Sequence, residues 1–318
     1  MGAVIPHSTS LFNAITLCLR RDGVVSHRAE SGWEVDADAA CDFISQIGAF
    51  VRGAATAGFF PDVLELRIVG AEPFARVDAL EKILRCGANS KLLGHVWTTG
   101  AWAISAQLAR AVLDRLKDTM HAITLHIGAD GMGEFGLAPL DLLLRTIREN
   151  RLGAVIECCI RPGSRLPLEF LGSEIVNNNS TFVRIVPPAR PADMPADDSE
   201  YFLEVPQPYD RCAERLSLTV LPNGDVYPCL RSIGIDAMKL GSLSQQSVEE
   251  ILQRARNSQP LARLRTEGPA HLFELAQAAG EWTAGSRFVD SCQLHTNLLT
   301  RASIGRHGLF APPQMRGE

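Results

Sequence analysis

"VLELRIVGAEPFARVDALEKILRCGANSKLLGHVWTT", residues 63–99, contains the arrangement that decides the fold. An apolar run at 63–69 ends in a short loop, a helical pattern follows at 76–87, and a second β-rich run begins at residue 94. Parallel neighbouring strands need a crossover of about a dozen residues, usually a helix. This stretch therefore predicts one strand–helix–strand unit of a parallel sheet.

The same alternation extends from residue 12 to about residue 186. The β-rich runs are NAITLCL, VLELRIV, GHVWTT, AITLHIG, AVIECCI and FVRIV, with helical patterns at 36–57, 76–87, 104–118, 137–151 and 167–176. Asp36 and Ser105 are typical first residues of helices, and Gly58 and Gly87 are typical of helix ends. Six such units predict an α/β fold, a partial (β/α)6 TIM-like barrel, with a doubly wound sheet as the alternative.

Composition and charge exclude several classes of partner. The chain has 318 residues, a net charge of -5 and a pI of about 5.9, so no basic field attracts nucleic acid. No apolar run is long enough to cross a bilayer, which predicts no membrane partner. The N-terminus lacks the basic start of a secretory signal, so we expect a cytoplasmic protein.

A proline-rich connector follows the β/α region. Residues 187–211 contain six prolines, which deny donors to a sheet and favour an extended linker. Next comes "LSLTVLPNGDVYPCL", in which Asn-Gly predicts a two-residue hairpin turn with Cys229 on the second arm. Helical patterns then lie at 244–257, 259–267 and 269–280. The predicted division is a barrel at 1–186, a linker at 187–211, a small α+β metal domain at 212–303 and a tail at 304–318.

The chain has eight cysteines and no export signal, which favours thiols or metal ligands over disulfides. Four of them lie in helical or strand patterns and are predicted to be packing residues: Cys41, Cys86, Cys158 and Cys159. A second group has metal-ligand spacing. Cys212 and Cys229 form C-x11-G-x4-C around the hairpin, and Cys292 and His295 form C-x2-H. Three cysteines and one histidine make a full tetrahedral set.

"CAERLSLTVLPNGDVYPCL", with the downstream "LGSL" and "FVDSCQLHTNLLTRA", resembles the SPASM or twitch-type auxiliary domain of radical SAM proteins. The resemblance covers residues 212 to about 303. It implies an auxiliary 4Fe-4S iron-sulfur cluster held by Cys212, Cys229 and Cys292, with His295 where a cysteine is usual. A Cys3His set is also typical of structural zinc, so zinc stays the alternative.

The barrel resembles the same family. "LRIVGAEPF" stands where radical SAM proteins have a G-G-E-P motif that contacts the amino group of S-adenosylmethionine (SAM), with Gly70, Ala71 and Glu72 in register. "VWTTG", which contains Thr99, is similar to the third-strand T-N-G motif. The resemblance implies SAM as a cofactor, with the Glu72 carboxylate pairing with its ammonium group.

The motif that cleaves SAM is missing. After the first strand the family has C-x3-C-x2-C, but this chain has "CLRRDGVVSHRAESG", in which Cys18 stands alone. Alignment of "HRAESG" with the end of that loop puts His27, Val24 and Arg20 in the cysteine places. Valine and arginine do not ligate iron, so we predict that the protein is not an active SAM-cleaving radical enzyme.

Three functions remain from these observations. The first is a non-catalytic partner or substrate-binding subunit in peptide modification or natural-product biosynthesis, which binds a peptide, a small molecule or a complete radical SAM enzyme. The second is an enzyme with non-radical chemistry that uses SAM or the auxiliary metal, and the third is a structural zinc or electron-transfer protein. Candidate ligand-binding residues lie at strand ends: Glu72, Thr99, His126, Asp130 and Arg161, the last as a carboxylate clamp.

Overall fold

The computed structural model describes residues 10–21, 33–53, 58–127, 137–159, 181–186, 216–266, 268–278 and 294. Its strands are β1 (Ala14–Cys18), β2 (Glu65–Val69), β3 (Leu93–Thr98), β4 (Met120–Ile127), β5 (Gly153–Cys159), β6 (Thr181–Val186), β7 (Ser217–Val220), β8 (Asp225–Tyr227) and β9 (Gly241–Ser242). These strands form one sheet with the order β6-β5-β4-β3-β2-β1-β7-β8-β9.

The first six strands are parallel and lie side by side in chain order. A doubly wound sheet reverses its strand order near the middle, and β1 to β6 show no such reversal. The predicted partial β/α barrel is therefore confirmed, and the doubly wound alternative is wrong.

Helices alternate with these strands as predicted. They are α1 (Ala37–Val51), α2 (Val77–Asn89), α3 (Ala106–Leu116) and α4 (Leu137–Glu149), and α5 (Val248–Asn257), α6 (Gln259–Thr266) and α7 (Gly268–Ala278) follow the hairpin. The Asp36 carboxylate accepts a hydrogen bond from the Ala39 N–H at 3.1 Å, and the Ser105 hydroxyl caps α3 in the same way. The predicted helix at 167–176 lies outside the described residues. Among the residues that are described, no helix has the length and apolarity needed to cross a membrane.

The two predicted glycine stops are wrong. α1 ends at Val51, well before Gly58, and α2 continues through Gly87 to Asn89. A Cβ atom at Gly87 would lie 2.7 Å from Leu66 Cδ2. Gly87 therefore serves the close approach of α2 to β2 rather than the end of the helix.

The two faces of the sheet differ in chemistry because side chains alternate along each strand. Ile15, Leu17, Leu66 and Ile68 belong to the same buried cluster as residues of α1 and α2, such as Ile44. The residues between them point away from the helices. We call this second side the inner face; it includes Thr16, Arg67, Trp97, His126, Glu157 and Arg184.

The predicted hairpin is present, but its turn differs from the prediction. Gly224 N–H donates to the Leu221 carbonyl and Leu221 N–H donates to the Asp225 carbonyl, both at 2.9 Å, so the loop has three residues, 222–224. Pro222 has the backbone angle that the first central position of a type I turn requires, and Gly224 takes the left-handed conformation at φ +83°. The proline therefore shifts the turn back by one residue from the predicted Asn-Gly centre.

The hairpin is part of the barrel sheet. β7 pairs in parallel with β1, with Ala14 opposite Ser217 and Leu17 opposite Val220. A Cβ atom on Gly224 would lie 3.2 Å from the Phe43 ring, so the turn also approaches α1. The C-terminal segment thus extends the sheet beyond its first strand, while the domain limits 1–186, 187–211, 212–303 and 304–318 stay predictions.

One cysteine prediction is wrong. Cys41 on α1 and Cys86 on α2 form a disulfide with their Cα atoms 5.7 Å apart, within the ordinary range for this bond. They lie on facing sides of neighbouring helices, which spacing in the sequence does not reveal. Cys158 is buried in the core as predicted.

Candidate functional site

The loop between β2 and α2 turns through two successive left-handed residues. Gly70 has φ +83° and Ala71 has φ +51°, a conformation that residues with a Cβ rarely adopt. A short 3₁₀ helix, Pro73–Arg76, follows, with Glu72 as its N-cap. The loop lies at the carboxyl ends of the parallel strands, where β/α barrels place their ligand-binding residues.

The Glu72 carboxylate is buried and fully hydrogen-bonded. Oε1 accepts hydrogen bonds from the Phe74 N–H at 3.2 Å and the Thr98 hydroxyl at 2.7 Å. Oε2 accepts from the Thr99 N–H at 3.2 Å and the Thr99 hydroxyl at 2.9 Å. Glu72 therefore joins the loop after β2 to the end of β3.

Burial raises the pKa of Glu72, and the hydrogen bonds from Thr98 and Thr99 oppose part of that shift. The Glu72 carbonyl also accepts a hydrogen bond from the Trp33 indole at 3.1 Å. Because each carboxylate oxygen already has two donors, a ligand ammonium group would compete with Thr98, Thr99 or Phe74. The ligand-binding roles of Gly70, Ala71, Glu72 and Thr99 stay predictions.

Three ionisable residues lie side by side on the inner face at β4, β5 and β6. Glu157 is opposite His126 on one side and opposite Arg184 on the other. Its Oε2 is 3.2 Å from His126 Nδ1, and its Oε1 accepts a hydrogen bond from Arg184 at 2.5 Å. We call these residues the His126–Glu157–Arg184 row.

Glu157 is the buried centre of this row. Its burial alone would raise its pKa, but the hydrogen bond from His126 and the charge of Arg184 outweigh burial and lower it. The carboxylate is therefore ionised at neutral pH. It orients the imidazole, as carboxylates do for histidines in many functional sites.

Trp97 lies beneath the Arg184 end of the row. The Arg184 guanidinium carbon is 5.9 Å from the centre of the Trp97 ring, within the range of a cation–π interaction. The indole Nε1 is buried and has no hydrogen-bond partner in the part of the chain that the structure describes. A buried donor without a partner is unusual and needs an explanation.

A second imidazole and carboxylate lie on the inner face nearer the amino ends of the strands, on β3 and β2. His95 Nε2 is 2.8 Å from the Thr124 hydroxyl, and His95 Nδ1 is 3.7 Å from Glu65 Oε1. Glu65 also forms a salt bridge with Arg67 at 2.8 Å. His95 and Arg67 lower the pKa of Glu65 to about 2, so this carboxylate too is ionised at neutral pH.

An apolar cluster covers the carboxyl end of β1. It consists of Cys18, Val69, Leu221 and Tyr227, with Trp97 packed against it. The Cys18 side chain is completely buried. A thiol in such apolar surroundings behaves as a small hydrophobic residue.

Cys229 lies just after β8 and differs from Cys18 in its exposure. It is half-buried and forms no disulfide. Its carbonyl accepts hydrogen bonds from the Ser232 N–H at 3.2 Å and the Ser232 hydroxyl at 2.8 Å, which fix the backbone at this point. Within the described residues, no group of three or more metal-ligating side chains comes together.

Several predicted site residues lie outside the described residues: Asp130, Arg161, Cys212, Cys292 and His295, together with Val24 and His27. Their roles stay predictions. Of the predicted metal ligands, the structure describes Cys229.

Glu157, Arg184 and Trp97 are not among the site residues predicted from the sequence. A usable signal was present, because strands buried on both faces are nearly continuous apolar runs. Glu157 is the one charged residue in "AVIECCI", and Arg184 is the one in "FVRIV". Their opposition across β5 and β6 becomes visible only with the strand register.

Residues 212–275 match the family model of SPASM, an iron-sulfur cluster-binding domain. A comparison with the curated proteins finds no match. The C-terminal resemblance that the hairpin and its cysteines suggested is therefore confirmed for residues 212–275.

Two solved structures of anSMEcpe are similar over almost the whole chain. Native anSMEcpe with bound AdoMet and Cp18Cys peptide is 10% identical with a TM-score of 0.57, over 92% of this chain and 97% of that chain. Native anSMEcpe with bound AdoMet is 10% identical with a TM-score of 0.55, over 91% and 96%. At this identity the likeness shows the fold alone. The chain therefore has the fold of anSMEcpe, a partial β/α barrel, and the SPASM match lies in its C-terminal part.

Proposed function

We propose that this protein is a binding subunit of a peptide-modification or natural-product pathway and does not cleave SAM. It holds a peptide or a small metabolite on the inner face of the barrel and presents it to a complete radical SAM enzyme in the cytoplasm. A C-terminal auxiliary metal, an iron-sulfur cluster, stabilises the segment after the linker.

The observation that carries this proposal is the absence of cysteine from residues 19–36, the whole segment between β1 and α1. The SAM-cleaving cluster of the family needs three thiolates from this segment. Cys18, at its start, is buried among Val69, Leu221 and Tyr227. A cluster at this place would need ligands that the segment does not contain.

Two observations support a role in binding. At β4 to β6 the inner face has charged side chains, of which Arg184 is partly exposed, where a closed barrel core is filled by apolar residues. A protein with the same fold, anSMEcpe, has been solved with a bound Cp18Cys peptide. A peptide is therefore the first ligand to test.

The metal proposal depends on the chemistry of the donor set. The half-buried Cys229 at the end of a rigid hairpin fits a ligand position, and Cys212, Cys292 and His295 would complete a set of four. A bound cluster would supply a redox centre or a structural link. A Cys3His set also suits zinc, so the metal content distinguishes the two.

A second candidate function is an enzyme with non-radical chemistry. It is favoured by His126, which the buried Glu157 carboxylate holds in one orientation at 3.2 Å. An imidazole oriented by a carboxylate is a common general base. SAM turnover without 5'-deoxyadenosine formation, lost in Glu157→Gln, would support this candidate over the first.

The experiment that tests the first candidate is anaerobic co-purification with radical SAM enzymes and peptides from the source cells, followed by a SAM assay. We expect a stable complex and no 5'-deoxyadenosine from the isolated protein with SAM and dithionite. Formation of 5'-deoxyadenosine by the isolated protein would contradict the proposal, and so would a failure to bind either kind of partner.

The metal is tested in the same preparation. We expect about four irons per chain, as in a 4Fe-4S cluster, and a large loss of iron in Cys229→Ala. Cys158→Ala is the matched control, because it removes a core thiol far from the hairpin and should keep its iron. An unchanged iron content in Cys229→Ala would contradict the assignment of this ligand, and a zinc-loaded protein would contradict the cluster.

A further inference from the structure

The guanidinium of Arg184 is fixed at one edge and exposed at the other. Its NH2 group donates to Glu157 Oε1, while 54% of its side chain is exposed. A guanidinium has five N–H donors, and Glu157 is its one hydrogen-bond acceptor among the described residues. Within the part of the chain that the structure describes, most of its donors therefore have no acceptor, and more than half of the side chain is exposed.

The position of this guanidinium is determined by its neighbours. Glu157 is buried, and its second carboxylate oxygen lies 3.2 Å from His126 Nδ1, so the acceptor of Arg184 is held from its other side. The ring of Trp97 lies 5.9 Å beneath the guanidinium carbon. A cation positioned in this way loses little freedom when it binds an anion, which favours affinity.

An exposed aromatic side chain lies next to Arg184. Phe182 is two residues earlier on β6, so it projects from the same face, and it is 67% exposed. The buried Trp97 Nε1, on the ring beneath Arg184, lacks a partner within the described residues. A ligand could therefore place an anionic group against Arg184 and an apolar group against the neighbouring Phe182 at this edge of the sheet.

From this geometry we infer that Arg184, seated on Trp97 and held by Glu157, binds the carboxylate of a peptide-like ligand whose apolar side chain contacts Phe182. The planar guanidinium matches a carboxylate, which can accept two parallel hydrogen bonds from it. The inference rests on the proposed function, since it names the chemistry of the ligand that the inner face would hold. It differs from the predicted clamp at Arg161, which lies outside the described residues.

The test is calorimetric titration of the anaerobically purified full-length protein with N-acetyl-L-phenylalanine and with its uncharged amide. We expect the acid to bind and the amide to bind at least about tenfold more weakly, because a hydrogen bond to a charged group is strong when desolvated. Arg184→Gln should weaken the binding of the acid by a similar factor and leave the binding of the amide unchanged. Phe182→Ala should weaken the binding of both ligands.

Arg145→Gln is the matched control. Arg145 pairs with Asp141 on the surface of α4 and should not affect either ligand. Equal binding of acid and amide, no binding of either, or unchanged acid binding in Arg184→Gln would overturn the inference. So would Arg184-dependent binding of SAM without binding of N-acetyl-L-phenylalanine, because SAM offers a carboxylate without a neighbouring apolar side chain.

These failures are distinct from failure of the proposed function. If Arg184→Gln still captures the peptide or partner enzyme that the wild type captures, the inference is wrong and the binding role stands. If the wild type captures neither, the proposed function itself is wrong. Thermal melting of each variant identifies any loss of binding that results from unfolding.

Discussion

Glu72→Gln is the substitution that tests the loop after β2 most directly. It keeps the shape of the side chain but replaces one oxygen by an NH2 group, which does not accept hydrogen bonds. Oε1 accepts from the Phe74 N–H and Oε2 from the Thr99 N–H, so either orientation of the amide leaves one backbone N–H without its acceptor. The Thr98 and Thr99 hydroxyls can rotate and accept instead.

The expected loss follows from these bonds. A buried N–H without an acceptor costs about 1–3 kcal/mol, and the bonds that remain each lose about 1 kcal/mol of charge assistance. Removal of a buried charge offsets part of this, as the raised pKa of Glu72 indicates. We therefore expect the free energy of unfolding to fall by about 2–4 kcal/mol.

Urea-induced unfolding, followed by tryptophan fluorescence at neutral pH, measures this change. The control is Glu149→Gln, which breaks an exposed pair with Arg110 at 3.1 Å and should cost less than about 1 kcal/mol. A Glu72→Gln variant within about 0.5 kcal/mol of the wild type would refute the argument that this carboxylate is the acceptor for both loops.

The pH dependence gives a second check. The pKa of Glu72 is higher in the folded state than in the unfolded state. The stability that this difference contributes is therefore fully present at a pH below the unfolded-state pKa and is lost as the pH rises through the folded-state pKa. The difference in the free energy of unfolding between wild type and Glu72→Gln should therefore widen as the pH is lowered towards the unfolded-state pKa of Glu72. A difference that narrows would contradict the direction of the shift.

Three further predictions concern stability and use the same urea assay. Ala71→Gly should change the free energy of unfolding by less than about 0.5 kcal/mol, because relief of the left-handed residue offsets the lost burial of its methyl group and the greater freedom of glycine in the unfolded chain. Ala88→Gly in α2 has no such relief and should destabilise the protein by about 1 kcal/mol. An equal loss in both variants would contradict the explanation. Reduction of the Cys41–Cys86 disulfide should cost about 2–4 kcal/mol, and a double serine variant should not respond to the reductant. Glu157→Gln should reduce the loss of stability at acidic pH. Because its pKa is lowered in the folded state, Glu157 contributes stability above its unfolded-state pKa, and this contribution is lost as the pH falls through the folded-state pKa. An unchanged dependence of stability on acidic pH would contradict this.

The parallel half of the fold was predictable because its signals are local. Each strand is a short apolar run, each crossover has helical periodicity, and Asp36 and Ser105 mark helix starts by a side chain that caps its own next turn. The hairpin was predictable for the same reason, although Pro222 moved its turn by one residue.

The rest depended on which elements become neighbours. Gly87 has the composition of a helix end, but its role is set by Leu66 on another element. Cys41 and Cys86 are 45 residues apart and meet only when α1 packs on α2. The His126–Glu157–Arg184 row likewise exists only once β4, β5 and β6 are in register.

The pairing of β7 with β1 determines when the sheet can be completed. During synthesis, the first strand leaves the ribosome about two hundred residues before its second neighbour exists. Until then one side of β1 offers unpaired backbone groups, the kind of edge that promotes association between nascent chains. The pairing of β7 with β1 joins strands that are far apart in sequence, so it forms late. We therefore expect the nascent chain to need chaperones most while the proline connector is being translated.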